Sequence, residues 1–459
     1  MFFHSWLFIL FGIAVVGLFY SLPRGLPRRL LILLSGLYFY ACFRPEYLIL
    51  MLAVVFVDYT MARLMQSSET EKFRKWCLAF SLFFDLGILF LFKYLGFFEE
   101  TWNAIFSSIS GKIHLPSLLL PMGISFYTFQ SLSYVIDVYR KKISAEKSFL
   151  QYSLYVTFFP QLVAGPIENA KHLLPQVRFE EKSFAIENFR EGTFRILQGF
   201  FKKAILADTL ATIADPVFLN PQNASSLMIL VSAVAFAFQI YFDFSGYSDI
   251  AIGTARLFGV RLMENFKTPY LALNFYDFWK RWHISLTSWL REYVYFSLGG
   301  SRCSSLRHVL NVMAVFLVSG LWHGAAWTFV LWGILHGLIY LYDQHFNQKE
   351  NFKIWRCVRT FTLVTFLFTL FRAPSFSLWL QYWKSFFTHI FSAEGVLIKW
   401  GDLLPSMVYI PVLFGFIILL FQFLYSNKNV PILLKYLLYL LPLIFFGRFS
   451  GQGFIYFQF

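Results

Sequence analysis

Long apolar runs recur along this chain and exclude a water-soluble fold. The first run is MFFHSWLFILFGIAVVGLFY at residues 1–20, and others follow at about 30–43, 47–62, 77–98 and 118–138. Of the 459 residues, 58% are hydrophobic and 14% are charged, whereas a soluble domain has about half and about a quarter. Because one membrane helix needs roughly 20 apolar residues, we predict an all-α polytopic membrane protein with about 10–12 transmembrane helices.

Basic residues form short clusters between these runs, at 24–29, 63–75 and 140–142. In a soluble protein the net charge of +14 would suggest a nucleic-acid partner, but Lys and Arg between membrane helices mark cytoplasmic loops. The first run lacks the basic start and the small-residue cleavage site of a signal peptide, so we take it as a retained span. The alternation predicts an extracytoplasmic N-terminus and no nucleic-acid partner.

The later apolar runs are interrupted by glycine, proline or charge, at 149–167, 192–206, 227–259 and 309–341. Non-helical backbone at membrane depth is tolerated only where protein or a water-filled cavity satisfies its polar groups. We therefore expect re-entrant, tilted or interfacial helices around a central cavity. No internal repeat is found, which weighs against transporters built from repeated halves.

We treat the chain as a single membrane domain, 1–459. It comprises N-terminal spans at 1–116, a catalytic core at 117–345 and C-terminal spans at 346–459. Its four cysteines are scattered and no spacing fits a metal site, so we predict neither a redox role nor a bound metal.

The segment FYDFWKRWHISLTSWLREYVYF, residues 275–296, combines an aromatic stripe with charged residues. On one continuous helix, aromatic side chains such as Trp282 share a face, and Lys280 and Arg281 lie elsewhere. We expect this segment at the membrane interface or within the helical bundle. His283 stands at the border of the stripe, where an imidazole could meet an anionic substrate. An interfacial helix with an incidental histidine is the alternative.

A second segment, residues 309–343, carries a histidine deep in an apolar run. Fourteen helical residues from Val309 to His323 rise about 21 Å, past the midplane of a roughly 30 Å hydrocarbon core. Gly320 and Gly324 flank this histidine and would let another backbone come close. An ionisable residue at that depth predicts a functional site, because a neutral imidazole can accept a proton. A packing histidine is the alternative.

Two further sets of polar residues are given structural roles. His336 lies thirteen residues beyond the deep histidine, about 220° around an unbroken helix, and would not face the same cavity. Asp243 and Asp249 could orient a histidine, but we expect them to pair with Arg256 or Arg281. Asp243 is also a candidate substrate-binding residue.

A glycine turn follows the aromatic segment. Gly299 and Gly300, next to Arg302, could approach a phosphate, with a plain turn as the alternative.

These residues suggest transfer chemistry with a histidine base. A deep neutral histidine and a second histidine on a basic segment fit general-base transfer to a hydroxyl. No GxSxG elbow is present, so a serine acyl-enzyme has no support. The residues alone predict a membrane enzyme and do not name its substrate.

Several longer stretches carry a family resemblance. They are LPMGISFYTFQSLSYVIDVYR (120–140), FFPQLVAGPI (158–167), FFKKAILAD (200–208), FQIYFDFSGYSDIAIG (238–253), ENFKTPY (264–270), FWKRWHISLTSWLREYVYFSLGG (278–300), GLWHGAAWTFVLWGILHG (320–337) and FIYFQF (454–459). In order and content they resemble the membrane-bound O-acyltransferase (MBOAT) family, specifically its bacterial branch typified by alginate O-acetyltransferase. The resemblance runs from about residue 85 to the end of the chain.

The resemblance implies a helical bundle around a cavity that crosses the inner membrane. An acyl thioester, acetyl-coenzyme A, would enter from the cytoplasm as a substrate, with no bound cofactor. The acetyl group would pass toward hydroxyls of an extracytoplasmic polysaccharide, often through a separate partner with the SGNH esterase fold.

The resemblance also implies roles for individual residues. The near-invariant histidine of the family matches His323, the candidate base, and the second signature position matches His283. Trp282 or Arg281 would help to position the thioester or its oxyanion. The expected contacts of the coenzyme A phosphates are Lys280, Arg281, Arg291 and Arg302.

Three alternatives remain open. One is a D-alanyl or other acyltransferase fed by a carrier protein. Another is a non-enzymatic transporter of polysaccharide or lipid. The last is an acyltransferase that esterifies a membrane lipid, because membership of a family does not define the acceptor.

Overall fold

The computed structural model describes residues 3, 5–163, 165–180, 182–346, 353–390, 409–424, 431–449 and 453–455. These residues form helices joined by turns and loops, with no β-strand among them. The predicted all-α class is confirmed. Parts of the predicted C-terminal spans and the last four residues of the FIYFQF stretch lie outside the described residues.

The described residues contain twenty α-helices. They are α1 (Trp6–Ser21), α2 (Leu26–Ala41), α3 (Glu46–Ser67), α4 (Glu71–Leu89), α5 (Leu95–Ser110), α6 (Ile124–Tyr139), α7 (Phe149–Thr157), α8 (Phe159–Leu162), α9 (Ala170–Leu173), α10 (Ile186–Phe201), α11 (Asp208–Leu219), α12 (Ser226–Leu257), α13 (Phe275–Arg281), α14 (Ile284–Leu290), α15 (Ser305–His323), α16 (Trp327–Phe346), α17 (Lys353–Arg372), α18 (Phe376–His389), α19 (Tyr409–Leu424) and α20 (Ile432–Phe446). Wider π-helical turns occur at Phe90–Tyr94, Lys202–Ala207 and Arg291–Tyr295.

Membrane character is confirmed by the length and hydropathy of these helices. Among the described residues, five helical stretches are long and apolar enough to cross a membrane. They are Glu46–Ser67, Glu71–Ile109, Ser226–Leu257, Ser305–His323 and Lys353–Arg372. Three shorter apolar helices are Trp6–Ser21, Pro411–Leu420 and Ile432–Phe446. The number of crossings and their orientation stay predictions.

The chain forms two compact units. The first comprises Met1–Thr193, Ala251–Glu264 and Ser288–Ser297, and the second comprises Phe194–Ile250, Asn265–Thr287 and Leu298–Phe459. In the first unit α3, α4 and α6 pack against one another, and α6 is buried along most of its length. Helix α6 begins at Ile124, later than the apolar run suggested, because Gly123 adopts a left-handed φ of 74°. A Cβ on Gly123 would lie 2.7 Å from the carbonyl oxygen of Leu162.

In the second unit, glycines bring helices together without breaking them. Helices α10 and α12 approach at Gly199 and Gly246, where a Cβ on either residue would lie within 2.8 Å of the other residue's carbonyl oxygen. Helix α12 runs unbroken for 32 residues, although glycine and charged residues interrupt the apolar run at 227–259. The interruption predicted within 309–341 is confirmed, because α15 ends at His323 and α16 begins at Trp327.

Candidate active site

The aromatic segment is two short helices with His283 between them. Asn274 caps α13 by accepting a hydrogen bond from the Asp277 backbone N–H at 2.7 Å. The chain leaves the helix at Trp282, and His283 takes a left-handed φ of 44°, which is uncommon for a residue with a Cβ. The His283 carbonyl then accepts from the Thr287 N–H in α14. The prediction of one continuous helix over 275–296 is wrong, and so is the angular argument drawn from it.

The loop that holds His283 is bonded to Asn265, a residue to which the sequence assigned no role. Asn265 is 1% exposed. Its Oδ1 lies 3.3 Å from His283 Nδ1 and accepts the Ser285 N–H at 3.2 Å. Its main-chain carbonyl accepts the Ile284 N–H at 3.0 Å. The ENFKTPY stretch contains this residue, but no local pattern pointed to the contact.

His323 is the last residue of α15. Gly324 follows in extended backbone and donates its N–H to the Gly320 carbonyl. Helices α15 and α16 pack as a close hairpin, since a Cβ on Gly320 would collide with the Phe329 carbonyl oxygen and one on Gly324 with the Phe329 ring. The two glycines that flank His323 therefore allow the close packing of this hairpin.

The two predicted histidines lie together in the second unit. The ring centroids of His283 and His323 are 6.2 Å apart, and the two residues are 0% and 3% exposed. Trp322 contacts both rings, at centroid distances of 5.6 Å and 5.0 Å. Phe371 also packs on His323 at 5.3 Å. Two imidazoles in an aromatic enclosure can receive and hold a proton with water excluded.

His336 lies close to this pair through a shared tryptophan. Trp332 contacts His323 at 5.4 Å and His336 at 4.3 Å between ring centroids. The argument that placed His336 on another face assumed an unbroken helix, and the helix is broken at residues 324–326, so that argument is wrong. His336 is completely buried against Phe275 and Trp279, and its structural role stays a prediction.

The other predicted substrate-binding residues lie in different surroundings. Trp282 is buried and packs on Phe266 and Phe368, at 5.1 Å in both cases. Lys280 is exposed, with its Nζ 4.1 Å from the centre of the Tyr276 ring. Arg281 is half-buried and pairs with Asp277 at 2.8 Å.

Two basic candidates follow α14. Arg291 is exposed in the first unit, and Arg302 is exposed in the second. Gly299 and Gly300 form a turn with left-handed φ values of 103° and 62°. The Gly300 carbonyl accepts from the Asn311 side-chain amide at 3.0 Å. The contacts that these candidates make with a donor stay predictions.

Asp243 and Asp249 do not pair with the predicted arginines. Asp249 accepts from Arg195 at 2.7 Å and from Lys202 at 2.6 Å. Asp243 is 2.6 Å from Lys203, and its second oxygen accepts the Ile455 N–H at 2.7 Å. The predicted partners pair elsewhere, Arg256 with Glu191 and Arg281 with Asp277. The expected pairing is therefore wrong, and both oxygens of Asp243 already have partners within the protein.

Comparison with known proteins identifies the family. Residues 140–383 match the family model of MBOAT, the membrane-bound O-acyltransferase family. The probable alginate O-acetylase of Pseudomonas putida is 39% identical over 366 residues, covering 78% of this chain and 74% of the relative. The peptidoglycan O-acetyltransferase of Helicobacter pylori is 36% identical over 380 residues, covering 76% and 71%.

A more distant relative has a different name. The teichoic acid D-alanyltransferase of Bacillus subtilis is 28% identical over 307 residues, covering 61% of this chain and 75% of the relative. The family match spans more than half of the chain, and the O-acetyltransferase relatives align over most of it. This chain is therefore a member of the membrane-bound O-acyltransferase family, an enzyme that transfers acyl groups to oxygen.

Proposed function

We propose that this membrane O-acyltransferase takes an acetyl group from cytoplasmic acetyl-coenzyme A and passes it toward hydroxyls of an extracytoplasmic polysaccharide. The observation that carries the proposal is the buried pair of His283 and His323, 6.2 Å apart between ring centroids. The relatives named for O-acetylation of alginate and peptidoglycan support the class of acceptor. The enzyme would reside in the inner membrane with its N-terminus outside the cytoplasm.

The proposed chemistry is general-base acyl transfer. A hydroxyl oxygen attacks the thioester carbonyl carbon while the imidazole of His323 removes the hydroxyl proton. The tetrahedral centre then collapses, the carbon–sulfur bond breaks, and the departing thiolate takes the proton back from the imidazolium. A well-placed base contributes about a hundred- to ten-thousand-fold to such a step. His283 would orient the thioester.

Exposed cations would hold the phosphates of the donor. Lys280 and Arg302 are exposed in the second unit, and a guanidinium or ammonium group binds phosphate by charge-assisted hydrogen bonds. Arg281 already pairs with Asp277, so we assign it a smaller share. The partner that would carry the acetyl group onward is proposed to be a separate protein with the SGNH esterase fold.

The test is release of coenzyme A from labelled acetyl-coenzyme A by purified enzyme in nanodiscs. We expect wild type to release it and His323→Ala to lose at least about a hundredfold of the rate. His283→Ala should also lose activity. His172→Ala is the matched control, because His172 lies in the first unit with a half-exposed side chain, and it should behave as wild type. Full activity in folded His323→Ala would refute the assignment of the base.

A carrier-fed D-alanyl or other acyl transfer is the second candidate function. The observation in its favour is the alignment with the teichoic acid D-alanyltransferase, which covers 75% of that relative. Presenting acetyl-coenzyme A and an aminoacyl carrier protein to the same preparation separates the two. Consumption of the carrier-bound acyl group alone would overturn the proposed donor while leaving the histidine chemistry in place.

A further inference from the structure

Asn265 contacts the His283 loop through both its side chain and its main chain. Its Oδ1 lies 2.8 Å from Ser285 Oγ, 3.2 Å from Ser285 N and 3.3 Å from His283 Nδ1. Its Nδ2 donates to Ser248 Oγ at 3.3 Å. All of these residues belong to the second unit and are at most 2% exposed.

Ser285 decides which end of the Asn265 amide faces the histidine. A backbone N–H can only donate a hydrogen bond, so the amide atom that it contacts must be the oxygen. With the amide turned round, the NH₂ group would face the Ser285 N–H, and two donors would meet in a buried site. The contact to Ser248 is consistent with this orientation, because a hydroxyl oxygen can accept from the NH₂ group.

The orientation of the amide in turn decides the tautomer of His283. An amide oxygen can only accept, and the same Oδ1 faces His283 Nδ1. That nitrogen must therefore carry the imidazole proton. The lone pair of the neutral ring is then on Nε2, which is the nitrogen able to accept a proton or a hydrogen bond from a substrate.

The main chain of Asn265 stabilises the unusual backbone of His283. A left-handed φ of 44° persists in a residue with a Cβ only where the surroundings hold it. The Ile284 N–H donates to the Asn265 carbonyl and the Ser285 N–H donates to the Asn265 side chain. Both peptide groups that follow His283 are thus bonded to this one residue.

We propose that Asn265 is the positioning residue of His283, setting both the direction of the imidazole and the nitrogen that carries its proton. Its role resembles that of the third residue of a catalytic triad, which orients the histidine, except that Asn265 has a neutral amide in place of a carboxylate. A neutral partner holds the ring without stabilising an imidazolium, so Nε2 remains an acceptor, which suits orientation of the thioester through an amide N–H of the coenzyme A arm. The kinetic part of this inference rests on the proposed function, and the tautomer does not.

Substitution at Asn265 gives the kinetic test. Asn265→Ala should lower kcat for coenzyme A release by about 10- to 100-fold, by analogy with residues that orient metal-binding histidines, and change KM less than about threefold. Gln151→Ala is the matched control, because Gln151 is 2% exposed, also donates a side-chain amide hydrogen bond and lies in the first unit. Its kcat should stay within about threefold of wild type.

The conservative variant separates positioning from a purely structural role. Asn265→Asp retains an acceptor oxygen toward Nδ1 and should recover most of kcat at its own pH optimum. The new carboxylate favours the imidazolium, so the acidic limb of its kcat profile should move to higher pH. An unchanged profile, or a loss equal to that of Asn265→Ala, would overturn the proposal.

The tautomer can be measured without turnover. In enzyme labelled with ¹⁵N-histidine, the His283 resonances, identified by their loss in His283→Gln, should show a protonated Nδ1 and an unprotonated Nε2. The opposite tautomer would overturn the proposal, even if acetyl-coenzyme A proves to be the wrong donor. If Asn265→Ala fails to fold, this spectrum and the pH profile of Asn265→Asp still test the proposal.

Discussion

Lys203 lies between two aspartates in the second unit, and we predict that Lys203→Met destabilises the enzyme strongly. Its Nζ is 2.6 Å from Asp243 and 2.8 Å from Asp208. The lysine is 2% exposed, and the aspartates are 3% and 6% exposed. Methionine retains most of the length of the side chain but leaves two buried carboxylates without this cation. Breaking a buried ion pair by removing one partner costs about 3–5 kcal/mol of the free energy of unfolding.

An ion pair of equal length at the surface supplies the control. Arg256 and Glu191 are also 2.6 Å apart. The Arg256 side chain is 16% exposed, but the Glu191 carboxylate that remains after its removal is 55% exposed. Because solvent screens an exposed pair, Arg256→Met should cost at most about 1 kcal/mol. The two substitutions therefore compare a buried ion pair with a more exposed one at the same distance between nitrogen and oxygen.

The assay is equilibrium unfolding in mixed detergent micelles at increasing mole fraction of sodium dodecyl sulfate, followed by tryptophan fluorescence. Lys203→Met should shift the midpoint several times further than Arg256→Met. Adding Asp243→Asn should restore part of the loss, about 1–3 kcal/mol, because neighbouring changes couple and the amide oxygen can still accept from the Ile455 N–H. Equal shifts for Lys203→Met and Arg256→Met, or no recovery in the double variant, would refute the reasoning.

Further predictions concern the helical hairpin and one ionisable pair. Gly320→Ala drives a Cβ into the Phe329 carbonyl oxygen, so it should lower the free energy of unfolding by about 1–3 kcal/mol and also lower the rate of coenzyme A release. Gly12→Ala adds a Cβ that meets nothing within 4 Å, and it should lower neither. The hydrogen bond that the His172 imidazole donates to the Glu168 carboxylate raises the pKa of His172 above 6.5. The stabilisation from this bond is therefore complete below pH 6.5 and is lost as the pH rises through the higher folded pKa. His172→Asn should make the thermal midpoint less dependent on pH between about 6 and 8, and an unchanged dependence would contradict this origin.

Some features of the candidate site were predictable because they are local. An ionisable residue in a long apolar run is conspicuous, so His323 stood out from its own segment. The break between α15 and α16 was signalled in the same way by glycines. His283 was found from its position beside a basic aromatic stretch, although the helix assumed for that stretch does not exist.

Other features had no local signal. The left-handed turn at His283 contains neither glycine nor proline, the residues that usually mark such breaks. Asn265 is 18 residues away from His283 in sequence, so no helical or strand period connects them. The partners of Asp243 and Asp249 were also missed, because Arg195 is 54 residues from Asp249 and any nearby arginine looked equally suitable.

The sequence by itself determined that this protein is a helical membrane enzyme with two candidate histidines, since hydropathy and isolated ionisable residues are properties of short segments. Only the tertiary structure decided that His283 and His323 meet, that Asn265 sets the tautomer of one of them, and that Asp243 holds Lys203 and the chain at Ile455. The physical reason is that the two kinds of interaction depend on different separations along the chain. Transfer of apolar side chains out of water is summed residue by residue along the chain, whereas a hydrogen bond or ion pair depends on atoms within about 3 Å of each other, wherever in the chain they originate.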